Sequence, residues 1–219
     1  MSRTIRIGAA DGHQLSAYVR APAGSPRAGL VVLQEIFGLN QHIRHVADGF
    51  AEAGFHVVAP ALFDRVERDV ELDYDQMAEG RELLSRLDQK QTLLDLEASI
   101  ATAADGGRVL VVGYCWGGTL AYQCACRFPV AAAACFYGRG IVNALTDVPR
   151  CPVIYHYGMD DPHIPLDDVK QVRAARPEGI VHLYESAGHG FNCESRKDYR
   201  PPAAALARRR TLALFDAVL

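Results

Sequence analysis

Three side chains in this sequence are of the types that a nucleophilic catalyst needs, and they occur in the order nucleophile, acid and base. Cys115 supplies a thiol, Asp161 a carboxylate and His189 an imidazole. A thiol becomes a strong nucleophile when a nearby imidazole takes its proton, and a carboxylate can orient that imidazole. The chemistry open to such a trio is acyl transfer through a covalent thioester.

The turn around Cys115 has a spacing that suits a nucleophile. The segment reads Gly113-Tyr114-Cys115-Trp116-Gly117-Gly118, after an apolar run at residues 108–112 that predicts a buried strand and before residues 119–126, which predict a helix. Small residues on either side of the nucleophile let strand and helix pass in a sharp, strained turn. The helix N-terminus then favours a thiolate and an oxyanion. The alternative interpretation is a small, inert core cysteine in a glycine-rich turn.

The acid and the base each follow a predicted strand. Residues 151–157 precede Asp161, and residues 180–184 precede His189, which lies between Gly188 and Gly190. Taken singly, a helix cap explains the aspartate and a solvated loop explains the histidine. The order nucleophile, acid, histidine, with each residue in a loop after a strand, is that of α/β-hydrolases, and three matches in that order favour one shared site.

The elements that must position these side chains alternate between strand and helix along the chain. This pattern predicts an α/β fold with a mainly parallel sheet, helices on both faces and an antiparallel hairpin at the N-terminal edge. A polar, acidic stretch at residues 64–75 is too charged for the core, and one long helix, broken or continuous, is expected over residues 76–103. No repeat or linker divides the chain, so residues 1–219 are predicted to form a single domain. Strands are predicted at residues 4–7, 15–20, 29–35, 55–60, 108–112, 130–137, 151–157 and 180–184, and further helices at 41–53, 119–126, 169–175 and 203–218.

Charge and composition limit the classes of partner that the sequence predicts. The chain has 219 residues, 23 Lys and Arg against 26 Asp and Glu, and a net charge of −3, which gives no reason to expect nucleic acid or an anionic membrane as partner. No stretch resembles a signal peptide or a membrane span, and the 6 cysteines lack the spacing of a disulfide scaffold. We therefore expect a cytoplasmic protein with reduced thiols and a small-molecule substrate.

His42 and His45 are the residues that most suggest a metal site. Both fall on the helix predicted at residues 41–53, but no third ligand occurs at a recognisable offset. A solvated helix face explains them better, and no metal is predicted.

Several motifs together resemble those of the dienelactone hydrolase (carboxymethylenebutenolidase) family. They are Gln34-Glu35-Ile36-Phe37-Gly38-Leu39-Asn40, the segment around Cys115, Gly158-x-x-Asp161-x-x-Ile164-Pro165 and Ala187-Gly188-His189-x-Phe191. The resemblance spans nearly the whole chain. It implies an α/β-hydrolase fold without a cofactor, Cys115 as nucleophile, His189 as base and Asp161, rather than Asp160, as acid.

The same resemblance implies supporting roles for other residues. The oxyanion hole would consist of the backbone N–H groups of Ile36 and Trp116, and Glu35 would contact the resting thiol. A structural salt bridge is the alternative role for Glu35, since a glutamate at the end of a buried strand needs a partner.

The sequence departs from the family where the substrate carboxylate is held. The two positions at which the family has arginine are Met77 and Cys193 here, while Arg81 and Arg196 lie further along each segment. Either arginine could supply the charge from its shifted position. The alternative for Arg81 is an exposed helix residue that pairs with a neighbouring carboxylate.

These observations favour a hydrolase of small lactones or esters that uses a Cys-His-Asp triad and a thioester intermediate. A thioester hydrolase is one alternative. The other is a non-catalytic protein that binds a small ligand on a hydrolase fold.

Overall fold

The first half of the chain contains both antiparallel and parallel strand pairs. In the computed structural model, which describes residues 2–219, the chain divides into two units, Met1–Leu110 and Val111–Leu219, and the division falls within one strand. The strands of the first unit are β1 (Ser2–Gly8), β2 (Gln14–Arg20), β3 (Gly29–Leu33) and β4 (His56–Pro60). Their order is β1-β2-β4-β3. Strand β2 pairs antiparallel with both β1 and β4, and β3 pairs parallel with β4. The predicted antiparallel N-terminal edge is confirmed.

The helices of the first unit are α1 (Gln41–Glu52), α2 (Met77–Arg86) and α3 (Gln89–Ala103). The helix expected over residues 76–103 is thus broken in two. Leu87 adopts an extended conformation, and the Asp88 side chain caps α3 by accepting a hydrogen bond from the Gln91 N–H at 2.9 Å. Aspartate is a preferred N-cap because its oxygen satisfies a backbone donor that the helix leaves open.

The acidic stretch at residues 64–75 lies mostly outside the core, as predicted, with three exceptions. Asp64, Val70 and Leu72 are all buried. The Asp64 carboxylate accepts a hydrogen bond from the Ser16 N–H at 2.8 Å and lies 3.4 Å from the Arg68 guanidinium. Because these partners replace water, burial of this charge is tolerated, and composition alone did not reveal them.

The second unit alternates parallel strands with helices. Its strands are β5 (Val109–Tyr114), β6 (Ala132–Phe136), β7 (Val153–Gly158) and β8 (Ile180–Tyr184), in the order β5-β6-β7-β8. Its helices are α4 (Trp116–Arg127), α5 (Leu166–Ala175) and α6 (Pro201–Val218). Every residue of β5, β6 and β7 is buried, as expected of parallel strands covered on both faces. The chain therefore has the predicted α/β class of fold.

His156 in the middle of β7 ties the last helix to the strands. It is fully buried, with Nδ1 2.8 Å from the Tyr184 hydroxyl and Nε2 3.0 Å from the Thr211 hydroxyl on α6. Its ring also stacks on that of His182. Burial, together with the nearby charges of His182 and Arg210, holds the pKa of His156 well below its ordinary value.

Within residues 2–219, no helix combines the length and the apolar character that crossing a bilayer requires.

Candidate active site

The chain turns sharply at Cys115, between β5 and α4. Cys115 has φ 55° and ψ −114°, a left-handed conformation that side chains rarely adopt, and its N–H donates to the Phe136 carbonyl at 3.0 Å. A Cβ added at Gly113 would lie 1.9 Å from the Gly117 carbonyl oxygen. Only glycine therefore allows the close approach of strand and helix, which explains the spacing in the sequence. The cysteine itself directly precedes the first turn of α4, where backbone N–H groups are open.

The structure brings the three predicted residues of the second unit together. The His189 imidazole lies between the other two, with Nε2 3.1 Å from the Cys115 sulfur and Nδ1 2.8 Å from Oδ2 of Asp161. Asp161 and His189 are buried, and Cys115 is half-buried. Asp160, the other candidate acid, is exposed. This arrangement holds the imidazole in one orientation and aims one of its nitrogens at the sulfur.

The second oxygen of the Asp161 carboxylate is also engaged. Oδ1 accepts a hydrogen bond from the backbone N–H of His163 at 2.8 Å. Since both oxygens have partners, the carboxylate is held in one orientation beside His189.

The charge state of His189 depends on its neighbours. Burial alone lowers its pKa, but the charge on the Cys115 sulfur and the hydrogen bonds to Asp161 and Cys115 outweigh burial and raise the pKa of His189 to about 10. The imidazole next to the sulfur therefore carries its second proton at neutral pH.

The loops that carry the acid and the base are held against each other by backbone contacts. A Cβ added at Gly158, the last residue of β7, would lie 2.2 Å from the Ala187 carbonyl oxygen, and that oxygen accepts a hydrogen bond from the Asp160 N–H at 3.0 Å. Gly158 therefore allows the acid loop to approach the backbone just before His189.

Two further aromatic rings lie against His189, and sequence reasoning missed both. The Tyr137 ring centroid lies 5.1 Å from that of His189, and the His163 ring meets it edge to face at 5.2 Å. His163 is close to the acid in sequence, which was an available signal. Tyr137 ends a predicted strand, as many core residues do, so nothing local marked it.

Arg196 lies beside the residue that follows His189. Gly190 has φ +80°, and a Cβ there would lie 2.7 Å from Nε of Arg196. The half-buried guanidinium group thus packs on the backbone next to the imidazole. Cys193, at the position where a family arginine is expected, is fully buried.

The remaining candidate residues belong to the first unit. Glu35 and Ile36 are buried, and α2 packs against Ile36, because a Cβ at Gly80 would lie 2.3 Å from the Ile36 carbonyl oxygen. Arg81, the next residue of α2, is exposed and pairs with no carboxylate in the part of the chain that the structure describes. The roles of Glu35, Ile36 and Arg81 stay predictions.

His42 does not lie on a solvated helix face, so that interpretation is wrong. It is buried, whereas His45 is exposed. The buried residues of α1 occupy one side of the helix, with His42 at its margin and His45 beyond it.

The other cysteines differ from Cys115 in their surroundings. All of them are free thiols, and Cys193 is fully buried. Burial raises the pKa of Cys126 and of Cys151 to about 11, and that of Cys124 and Cys135 further. Reagents that need a thiolate should therefore react mainly at Cys115.

Comparison with known proteins points to one family. The model of the dienelactone hydrolase family matches residues 15–219. A carboxymethylenebutenolidase of Pseudomonas putida is 34% identical over 224 residues, covering 97% of this chain and 95% of its own. A candidate dienelactone hydrolase from Klebsiella pneumoniae subsp. pneumoniae MGH 78578 has a similar structure, with TM-score 0.86, 28% identity and coverage of 98% and 99% of the two chains. An esterase of Pyrococcus furiosus, 14% identical with TM-score 0.70 over 96% of this chain and 89% of its own, shares the fold.

Proposed function

The chain belongs to the dienelactone hydrolase family and is a hydrolase of esters or lactones, and we propose that it works through Cys115, His189 and Asp161 by way of a thioester. The observation that carries this proposal is the pair of contacts made by His189, to the sulfur at 3.1 Å and to the carboxylate at 2.8 Å. A ligand-binding protein has no need of an oriented base beside a thiol.

In the first half of the reaction the Cys115 thiolate attacks the carbonyl carbon of the substrate. The C=O electron pair moves onto oxygen, and the Trp116 N–H at the start of α4 is the donor that we assign to this oxyanion, with the Ile36 N–H as the second donor that the family resemblance implies. The tetrahedral intermediate collapses with cleavage of the C–O bond. His189 gives its proton to the departing alkoxide, and a thioester remains on Cys115.

In the second half the thioester is hydrolysed by water. Acylation removes the charge on the sulfur, which was the leading cause of the raised pKa of His189, so burial now favours the neutral imidazole. Neutral His189 takes a proton from water, and the hydroxide attacks the thioester carbonyl. The C–S bond breaks, the carboxylic acid leaves and the thiolate–imidazolium pair returns.

The experiment that tests this proposal replaces the nucleophile. Cys115→Ala should lower kcat on an aryl acetate by roughly 10³-fold or more, because removal of a triad nucleophile leaves only binding and oxyanion stabilisation. Cys151→Ala, which removes another half-buried thiol, is the matched control and should retain the wild-type rate. Turnover by Cys115→Ala at the wild-type rate would refute the proposal.

The same protein preparation separates the alternative functions. A panel of lactones, aryl esters and acyl thioesters measures which bond is cleaved fastest. A preference for thioesters would favour the thioester hydrolase. Labelling of Cys115 by iodoacetamide without any turnover of the panel would favour the ligand-binding protein.

A further inference from the structure

Tyr137 stands directly after β6 in an uncommon conformation. Its φ is 38°, and the residue is fully buried. Its N–H donates to the His156 carbonyl at 2.8 Å, so the backbone at this point is fixed by β7.

A bulky residue in the left-handed region has a conformational cost of about 1–3 kcal/mol. Glycine adopts such a φ without strain, yet the chain has an aromatic residue here. Strain of this kind persists when the surrounding contacts require the side chain. The contacts of the Tyr137 ring therefore indicate what that side chain does.

The ring packs on the turn that carries the candidate base. Its centroid lies 5.1 Å from that of His189, with the planes inclined by 59°, and 5.5 Å from that of Phe191 in an edge-to-face contact. Aromatic rings attract a cation that lies within about 6 Å of their centroid, and the attraction is stronger where water is excluded. The imidazole of His189 is in this range.

The other groups that face His189 in the second unit are Cys115, Asp161 and His163. Burial opposes the charge on His189, and the pKa nevertheless rises to about 10. An aromatic ring at this distance from a buried imidazolium supplies part of the solvation that water would otherwise give.

We propose that Tyr137 is a positioning residue whose ring holds the His189 imidazole between Cys115 and Asp161 and favours its charged form. This inference rests on the proposed function only in the role given to His189. The ring, rather than the hydroxyl, is the group that acts.

The experiment changes the electron density of the ring without changing its shape. Phenylalanine and its difluoro and tetrafluoro forms are placed at position 137, and the pKa of His189 is measured by NMR. Tyr137→Phe should keep the pKa of the wild type. Successive fluorination should lower it, by roughly 0.5–1.5 pH units in total, because fluorine removes negative charge from the ring face. The same fluorinated residues at position 191 are the control, since Phe191 contacts Tyr137 but makes no ring contact with His189 in residues 2–219.

A second pair of measurements tests positioning. Tyr137→Leu removes the ring, and the rate of Cys115 alkylation by iodoacetamide should fall by roughly 3- to 30-fold, with kcat reduced more than KM. Fluorination without effect on the pKa of His189 would overturn the charge argument. If Tyr137→Phe lowers the alkylation rate as much as Tyr137→Leu does, the hydroxyl is responsible, and the role of the ring is overturned. The pKa of His189 and the alkylation rate of Cys115 are measured without ester turnover, so they can fail or succeed separately from the proposed function.

Discussion

Asp160 and Asp161 are neighbours in the sequence and differ completely in environment. Asp161 is buried against His189, while the Asp160 side chain is exposed. Asp161→Asn should lower kcat by roughly 10⁴-fold, because an amide favours the wrong imidazole tautomer without disturbing the shape of the site. Asp160→Asn is the matched control and should leave kcat unchanged in the same aryl acetate assay. If kcat falls by a similar factor in both variants, Asp161 has no special role as the acid.

We propose Arg196 as the residue that selects substrates by charge. Its guanidinium group packs on Gly190, next to His189. If it binds a substrate carboxylate, Arg196→Ala should lower kcat/KM for an anionic lactone by roughly 10- to 100-fold, which corresponds to about 1.5–3 kcal/mol for a charge-assisted hydrogen bond. A neutral aryl acetate should react as before. Lys197→Ala, at the exposed neighbouring position, controls for a general change in surface charge.

The same two substrates test Arg81 on α2. If Arg81→Ala lowers kcat/KM for the anionic lactone alone, the residue that binds the substrate carboxylate is Arg81 on α2. Equal losses on both substrates in either arginine variant would point to damage to the fold instead of substrate binding.

At the scale of elements, the acid loop after β7 and the histidine loop after β8 meet at Gly158. A methyl group there would lie 2.2 Å from the Ala187 carbonyl oxygen, so the two loops would have to separate. We expect Gly158→Ala to lower the free energy of unfolding by about 1–3 kcal/mol. It should also lower kcat by about 10²-fold, because it misplaces Asp161 against His189.

Gly24→Ala is the matched control for this substitution, since nothing lies within 4 Å of a Cβ at that position. Urea titration and initial rates on an aryl acetate give both quantities. Wild-type kcat in Gly158→Ala would show that the separation of the two loops is not critical.

Elements with a strong local signal were predicted well from the sequence. The turn at Cys115 followed from its glycines, which have no substitute where strand and helix cross. The break at Leu87 was less visible, because its extended backbone depends on the cap that Asp88 gives to α3.

At the scale of the whole molecule, the fold class and the assembly of Cys115, Asp161 and His189 could be predicted, because both depend on the order of elements along the chain. The burial of Asp64 and the left-handed backbone of Tyr137 could not. Each depends on partners distant in sequence, such as the Ser16 N–H and the His156 carbonyl. A single domain stays a prediction, and the division of the chain into two units falls within β5.

The buried imidazole that joins β7 to α6 has a consequence for the behaviour of the protein in acid. His156 and His182 both have pKa values below the ordinary 6.5, so the folded chain resists protons that the unfolded chain accepts. Their contribution to stability is present above pH 6.5 and is lost as the pH falls below it. Denaturation should therefore take up protons in this range. The fully buried His156 should lower the free energy of unfolding by up to about 1.4 kcal/mol per pH unit, and the more exposed His182 should contribute less.

Urea titrations at several pH values between 5 and 7.5 measure this proton uptake. In His156→Gln, which keeps a polar side chain but has no titrating ring, the dependence on pH should be weaker by up to one proton. An unchanged dependence would mean that other groups determine the sensitivity to acid. With the ring present, unfolding in weak acid is coupled to proton uptake by an imidazole that the folded chain buries. Weak acid therefore destabilises this fold through a group inside its sheet, as a chemical denaturant would through groups that unfolding exposes.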